Sequence, residues 1–226
     1  MYETRVHWKF GGTLGGRLTP AVKGLMVVTV AVFLIQLTLE KFFEIDLSLY
    51  LGLVPQTVIK KFYVWQLFTY LFLHGNLIHL LFNMLVLWML GGEIEEKVFW
   101  AKGFLKYYFG CGIGAACFNL LFSFRSEVPI IGSSGAIYGI LAAYAVFFGN
   151  RPLILFPFPV FIRAKYFVLM IGLIELISSI FYTTDGVAHI AHLGGLIIGF
   201  IYIYFKIKGP PIQKPKFRVI KGGFEH

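Results

Sequence analysis

The sequence predicts an all-α polytopic membrane protein: six transmembrane helices in a bundle, with one long first loop lying at the membrane interface. Three observations carry this. Hydrophobic residues make up 58% of the 226, mean hydropathy is +0.78, and charged side chains are only 14%, against about a quarter in soluble domains. Apolar windows approaching the ~20 residues that cross a bilayer fall at 22–39, 78–92, 104–123, 134–148, 166–182 and 187–205. With six crossings, 16 of the 20 Lys and Arg residues gather on the side of both termini, leaving Lys41, Lys60, Lys61 and Arg125 opposite. Cytoplasmic loops retain cations, so both termini are expected in the cytoplasm. The net charge of +9 then reads as span anchors facing anionic lipid, with no nucleic-acid partner implied.

Taken in order, residues 1–20 form a polar, glycine-containing cytoplasmic tail, and Thr19-Pro20 opens the first span, proline being tolerated in a first helical turn. No small-residue cleavage site follows this apolar run, so it is expected to be retained rather than removed as a leader. Residues 40–66 make a long connection rich in Leu49, Tyr50, Leu51, Phe62, Tyr63 and Trp65. Such aromatic content suits the headgroup boundary.

The second span carries His79 and Asn83, four apart and therefore on one helical face. Both are donors that are costly to bury in lipid. His74 sits near the outer boundary as a loop or structural residue, and Gly91-Gly92-Glu93-Ile94-Glu95 ends the span with carboxylates able to reach water or tie down a helix end. Cys111 and Cys117 lie in the third span and read as packing residues; Arg125, Ser126 and Glu127 make a solvated turn.

The fourth span opens with Ile131-Gly132-Ser133-Ser134-Gly135-Ala136-Ile137-Tyr138-Gly139. Ser134 falls at its N-terminal end, where free amides and the helix dipole favour negative charge. Gly135 and Gly139 present the small surface that lets a second helix approach closely. The fifth span holds Glu175, a functional candidate at membrane depth whose simpler reading is a protonated carboxyl hydrogen-bonded to a neighbouring helix.

The sixth span brings Asp185, read as an N-cap, then His189, His192, Gly195 and Gly199. The second glycine pair repeats the four-residue spacing of the first. Contact between the two would set Ser134 beside the histidines. The domain organisation expected is a tail at 1–20, a transmembrane domain at 21–207 and a basic cytoplasmic tail at 208–226.

The Gly132-Ser133-Ser134-Gly135 stretch, His79 with Asn83, Glu95 after its glycine pair, and Ala191-His192-Leu193-Gly194-Gly195 together resemble the rhomboid family of intramembrane serine proteases. The likeness runs from about Leu51 to Gly199, with four separated motifs in the family's order. It implies a Ser-His dyad, with Ser134 as nucleophile and His192 as general base. Tyr138 is then the ring packed on His192, and His79, Asn83 and the Ser134 amide are the oxyanion donors. The chemistry fits the residue types, since a serine hydroxyl needs an adjacent base and the tetrahedral oxyanion needs preplaced donors.

Substrates implied are transmembrane helices of other proteins. No cofactor or metal is implied, and no motif speaks to oligomeric state. The family's first loop usually reads Trp-Arg where this chain has Trp65-Gln66. Ser133 is an adjacent hydroxyl; His189 is an alternative base, and with Asp185 on its face a carboxylate-assisted arrangement stays open. The short form resembles prokaryotic members, which implies a bacterial or archaeal plasma (inner) membrane.

Three other functions compete. An inactive rhomboid-like protein that binds membrane helices lacks the serine or the histidine as a rule, and this chain has both. A zinc hydrolase would use His189 and His192, without a His-Glu-x-x-His string. A transporter is suggested by Glu175 alone, without inverted repeats.

Overall fold

The computed structural model describes residues 18–155, 160–181 and 188–208; both expected tails, apart from residues next to the first and last helices, and Asp185 lie outside them. The first helix, α1, spans Pro20–Phe43 and buries Ala21, Val22, Leu25, Thr29, Phe33 and Gln36 at roughly four-residue spacing. Its opposite face exposes Val27, Val28, Leu34 and Ile35, as a lipid-facing stripe should. A distant carboxylate caps its start. Glu95 accepts from the Ala21 and Val22 amides at 3.1 and 2.9 Å and from the Thr19 hydroxyl, filling the role of an N-cap from another helix.

Between Glu44 and Asn76 the chain makes short helices α2 (Ser48–Leu51), α3 (Pro55–Lys61) and α4 (Gln66–Thr69), then a 3-10 turn at Tyr70–Phe72. Gln66 is fully buried and locks this region. Its Oε1 accepts from the Val54 amide at 3.0 Å and the Thr57 hydroxyl at 2.9 Å, while its Nε2 donates to the Tyr50 carbonyl at 3.3 Å. Gln66 thus makes three anchoring contacts.

A continuous helical run follows from Leu77 to Ser123: α5 (Leu77–Val86), a π turn, α6 (Gly92–Ile94), a second π turn at Glu95–Phe99, and α7 (Trp100–Ser123). Trp100, at φ 60° and ψ 164°, breaks the path in its middle. Here the structure differs from the six-window reading: among the described residues, four helical stretches are long and apolar enough to cross a membrane, because windows 78–92 and 104–123 merge and the helix at 134–148 is short.

That short helix, α8 (Ser134–Phe148), is the centre of the molecule. It buries Gly135, Ala136, Ile137 and every residue from Gly139 to Tyr144, so its apolar surface meets protein on all sides. Helices α7 and α10 (His189–Lys208) pack on it, and α9 (Ala164–Phe181) touches α8 and α10 from the rim. A hairpin without a counterpart in the sequence reading, β1 (Pro152–Leu155) with antiparallel β2 (Val160–Arg163), links α8 to α9. Each strand has only four residues, too short a run for period-two alternation to stand out from the apolar sequence around it.

Candidate active site

The geometry begins one residue before the serines. Gly132 has φ +116°, open only to glycine in practice, and a Cβ there would lie 2.7 Å from His79 Cε1. Its amide donates to the Tyr70 carbonyl at 2.9 Å. Just upstream, Leu53 and Ile130 exchange two 2.9 Å backbone bonds. The chain is therefore fixed on both sides as it turns into α8, whose first residue is Ser134. First-turn amides of a helix have no carbonyl partner within it.

Glycine also fixes the partner helix. A Cβ on Gly195 would overlap the Gly135 carbonyl, and one on Gly199 would sit 3.0 Å from Gly139 Cα. The backbones of α8 and α10 touch. His192, one turn before Gly195, consequently faces Ser134, one residue before Gly135: Nε2 lies 2.7 Å from Ser134 Oγ across 58 positions of sequence. Tyr138, one turn along α8, stacks on the imidazole with centroids 4.6 Å apart and planes 9° off parallel. Gly135 is buried, and a Cβ there would be 2.7 Å from Ala115 Cβ.

The other ring nitrogen of His192 faces a carboxylate. Glu175, on α9, has Oε1 at 3.1 Å from His192 Nδ1 and Oε2 at 2.6 Å from His189 Nδ1. The Tyr138 hydroxyl also donates to it. Sequence reasoning flagged Glu175 for its depth and missed its partners, since nothing in spacing says that α9 faces α10 at this level. Its signal was the outward run of Leu173, Ile174, Leu176 and Ile177, all exposed, around one buried acidic residue. Glu175, His189 and His192 each bring a ligand atom within 4.8 Å of the others, yet Nδ1 of both imidazoles already faces a Glu175 oxygen.

His79 and Asn83 lie on α5. The His79 ring abuts Gly132, on the path into Ser134, and sits 5.0 Å from the His74 ring. Asn83 is buried, with Nδ2 donating to the His79 carbonyl at 2.9 Å. His74 is fully buried; its Nε2 approaches Ser133 Oγ at 3.5 Å, and its backbone is clasped by Gln36 at 3.0 and 3.2 Å. Ser133 is thus turned toward His74, and Ser134 toward His192.

A family model described as "Rhomboid domain" matches residues 61–209, the interval that contains His79, Asn83, Ser134, Tyr138, Glu175 and His192. The chain belongs to the rhomboid family. It is a multi-pass membrane protein, and it is 30% identical over 175 residues to RHOMBOID-like protein 1 of Arabidopsis thaliana, covering 74% of this chain and 40% of that one. Rhomboid protease GluP of Bacillus subtilis is 33% identical over 142 residues, covering 60% and 25%. Rhomboid protein 1, mitochondrial, of Saccharomyces cerevisiae is 27% identical over 156 residues, covering 64% and 42%. The chain thus spans less than half the length of these rhomboid relatives.

Proposed function

We propose that the protein is an intramembrane serine endopeptidase that cleaves transmembrane helices of other proteins with Ser134 and His192. One observation carries the reading: a hydroxyl and an imidazole, 58 residues apart, held at 2.7 Å by glycine-mediated helix contact. Family membership and the likeness to a protein named a rhomboid protease support it.

In the reaction, Ser134 Oγ bonds to the scissile carbonyl carbon as its proton passes to His192 Nε2. The carbonyl electron pair moves onto oxygen. The Ser134 amide at the start of α8, with His79 and Asn83, receives that charge; each donor of this kind is worth on the order of 3–4 kcal/mol. For Asn83 this requires its amide to turn from the His79 carbonyl toward the oxyanion. The C–N bond then breaks, the amine leaves with the proton from Nε2, and water attacking the acyl ester repeats the sequence to free Ser134. Tyr138 keeps the ring in plane throughout.

The transmembrane domain is residues 21–207, with tails 1–20 and 208–226 in the cytoplasm and the protein in a plasma membrane. Its spans number six. The run Leu77–Ser123 has 47 residues, about 70 Å of helix, more than twice a hydrocarbon core of ~30 Å; it is best divided at Trp100. The connection 40–66 lies along the interface, its exposed Tyr50, Phe62 and Trp65 at headgroup level.

Purified protein in liposomes is expected to cleave a fluorogenic transmembrane peptide, and a fluorophosphonate probe is expected to label Ser134. Ser134→Ala and His192→Ala should each abolish both signals, and a chelator should leave the wild type unchanged. An unlabelled, inert wild type that still retains membrane helices would replace this reading with a binding role.

A further inference from the structure

Glu175 is used by nothing in the reaction above, yet it is buried, ionisable and in contact with the base. An ionised carboxylate only accepts hydrogen bonds. The groups around it are the Tyr138 hydroxyl and Nδ1 of both His189 and His192, at 2.6 Å for His189 and 3.1 Å for His192. Three donors on two oxygens satisfy it fully if each imidazole carries its hydrogen on Nδ1. For His192 that choice has a consequence: the neutral ring then has its lone pair on Nε2, 2.7 Å from Ser134 Oγ, the tautomer able to take the serine proton. With the hydrogen on Nε2 instead, the ring would be a donor toward Ser134 and useless as a base.

We propose that Glu175 is a positioning residue that fixes His192 in the Nδ1–H tautomer and stabilises the imidazolium formed during turnover, making the pair a Ser134–His192–Glu175 relay of three. It rests on Ser134 and His192 being the reacting groups. The carboxylate comes from α9, whose other buried side chains are Ala164 and Val168, so the placement of that loosely embedded helix is what delivers it. His189 and Tyr138 hold it at the correct height, one from α10 and one from α8. The protonated carboxyl expected from sequence has a single hydrogen to offer. That hydrogen would go to a ring nitrogen bare of its own; only the ionised carboxylate accepts from all three neighbours at once.

The experiment reads His192 directly and then turnover. In 15N-histidine NMR of the purified protein, assigned with His192→Gln, the wild-type His192 signals should report the Nδ1–H tautomer, and Glu175→Gln should move population to Nε2–H. In the cleavage assay Glu175→Gln should lower kcat by roughly 100-fold or more, as a wrong tautomer does in related relays, with KM within about twofold. Glu175→Asp should recover part of kcat and of the wild-type tautomer, and circular dichroism of each variant checks that the fold persists. An Nε2–H signal in the wild type, or Glu175→Gln with wild-type tautomer and kcat, overturns the proposal. The tautomer measurement needs no turnover, so it decides the role of Glu175 even if the protein cleaves nothing; an inert, unlabelled wild type instead defeats the protease reading.

Discussion

Two histidines at the same end of the bundle, His192 partly buried and His74 fully buried, have opposite surroundings. His192 keeps polar partners on both nitrogens, the carboxylate of Glu175 and the hydroxyl of Ser134. His74 is enclosed, with the His79 ring 5.0 Å away, and burial, then His79, lowers its pKa from the usual 6.5 to about 4. A depressed histidine favours folding above its unfolded pKa and loses that contribution as pH falls toward its folded pKa. Between pH 7 and pH 4 the wild type should therefore lose about 3 kcal/mol more stability than His74→Gln, read as a steeper fall of Tm in detergent. Parallel Tm curves would show that His74 tolerates charge. The sequence reads His74 as a loop or structural residue and carries no sign of its Gln36 clasp, which depends on α1 lying alongside.

At the scale of elements, glycine decides which helices meet. The pairs Gly135/Gly139 and Gly195/Gly199 were legible from spacing, and the structure joins them with backbones in contact. Gly195→Ala drives a methyl into the Gly135 carbonyl and should force α8 and α10 apart, costing about 1–3 kcal/mol or more and cutting cleavage at least about tenfold, since His192 moves with α10. Gly24, on α1, has nothing within 4 Å of an added Cβ, so Gly24→Ala should leave cleavage unchanged and raise stability by up to about 1 kcal/mol. Equal effects of the two substitutions would remove glycine packing as the device that sets the site. The far end is fastened differently: Glu93 joins Lys97, Arg151 and the Tyr144 hydroxyl, the last at 3.1 Å, tying the second span to the end of α8.

For the whole molecule, the distribution of 16 against 4 cations makes a prediction that the helices alone do not. In intact cells or right-side-out vesicles, single cysteines at positions 60 and 125 should react with an impermeant maleimide from outside, and those at 102 and 206 only after permeabilisation, in a background with Cys111 and Cys117 replaced. Labelling of 102 from outside would reverse the orientation or reduce the span count. The exposed apolar sides of α1, α9 and α10 agree with immersion in lipid, which leaves the polar side chains to gather around α8.

Composition and hydropathy by themselves determined that the chain lives in a bilayer, and four motifs determined its family, because both depend only on which residues occur and in what order. Sequence also pointed to Ser134 and His192 meeting, and they lie 2.7 Å apart, since the helix periods and glycine spacings that align them are local. What α9 contributes was decided only in three dimensions. Glu175 meets His189 and His192 through a contact between α9, which buries only Ala164 and Val168 besides it, and α10, and the apolar run around Glu175 does not record which side of α9 faces inward. The same holds for Glu95 capping α1 from more than seventy residues away and for Gln66 bracing the first loop: each is a polar group whose partner is chosen by packing, after the helices have formed.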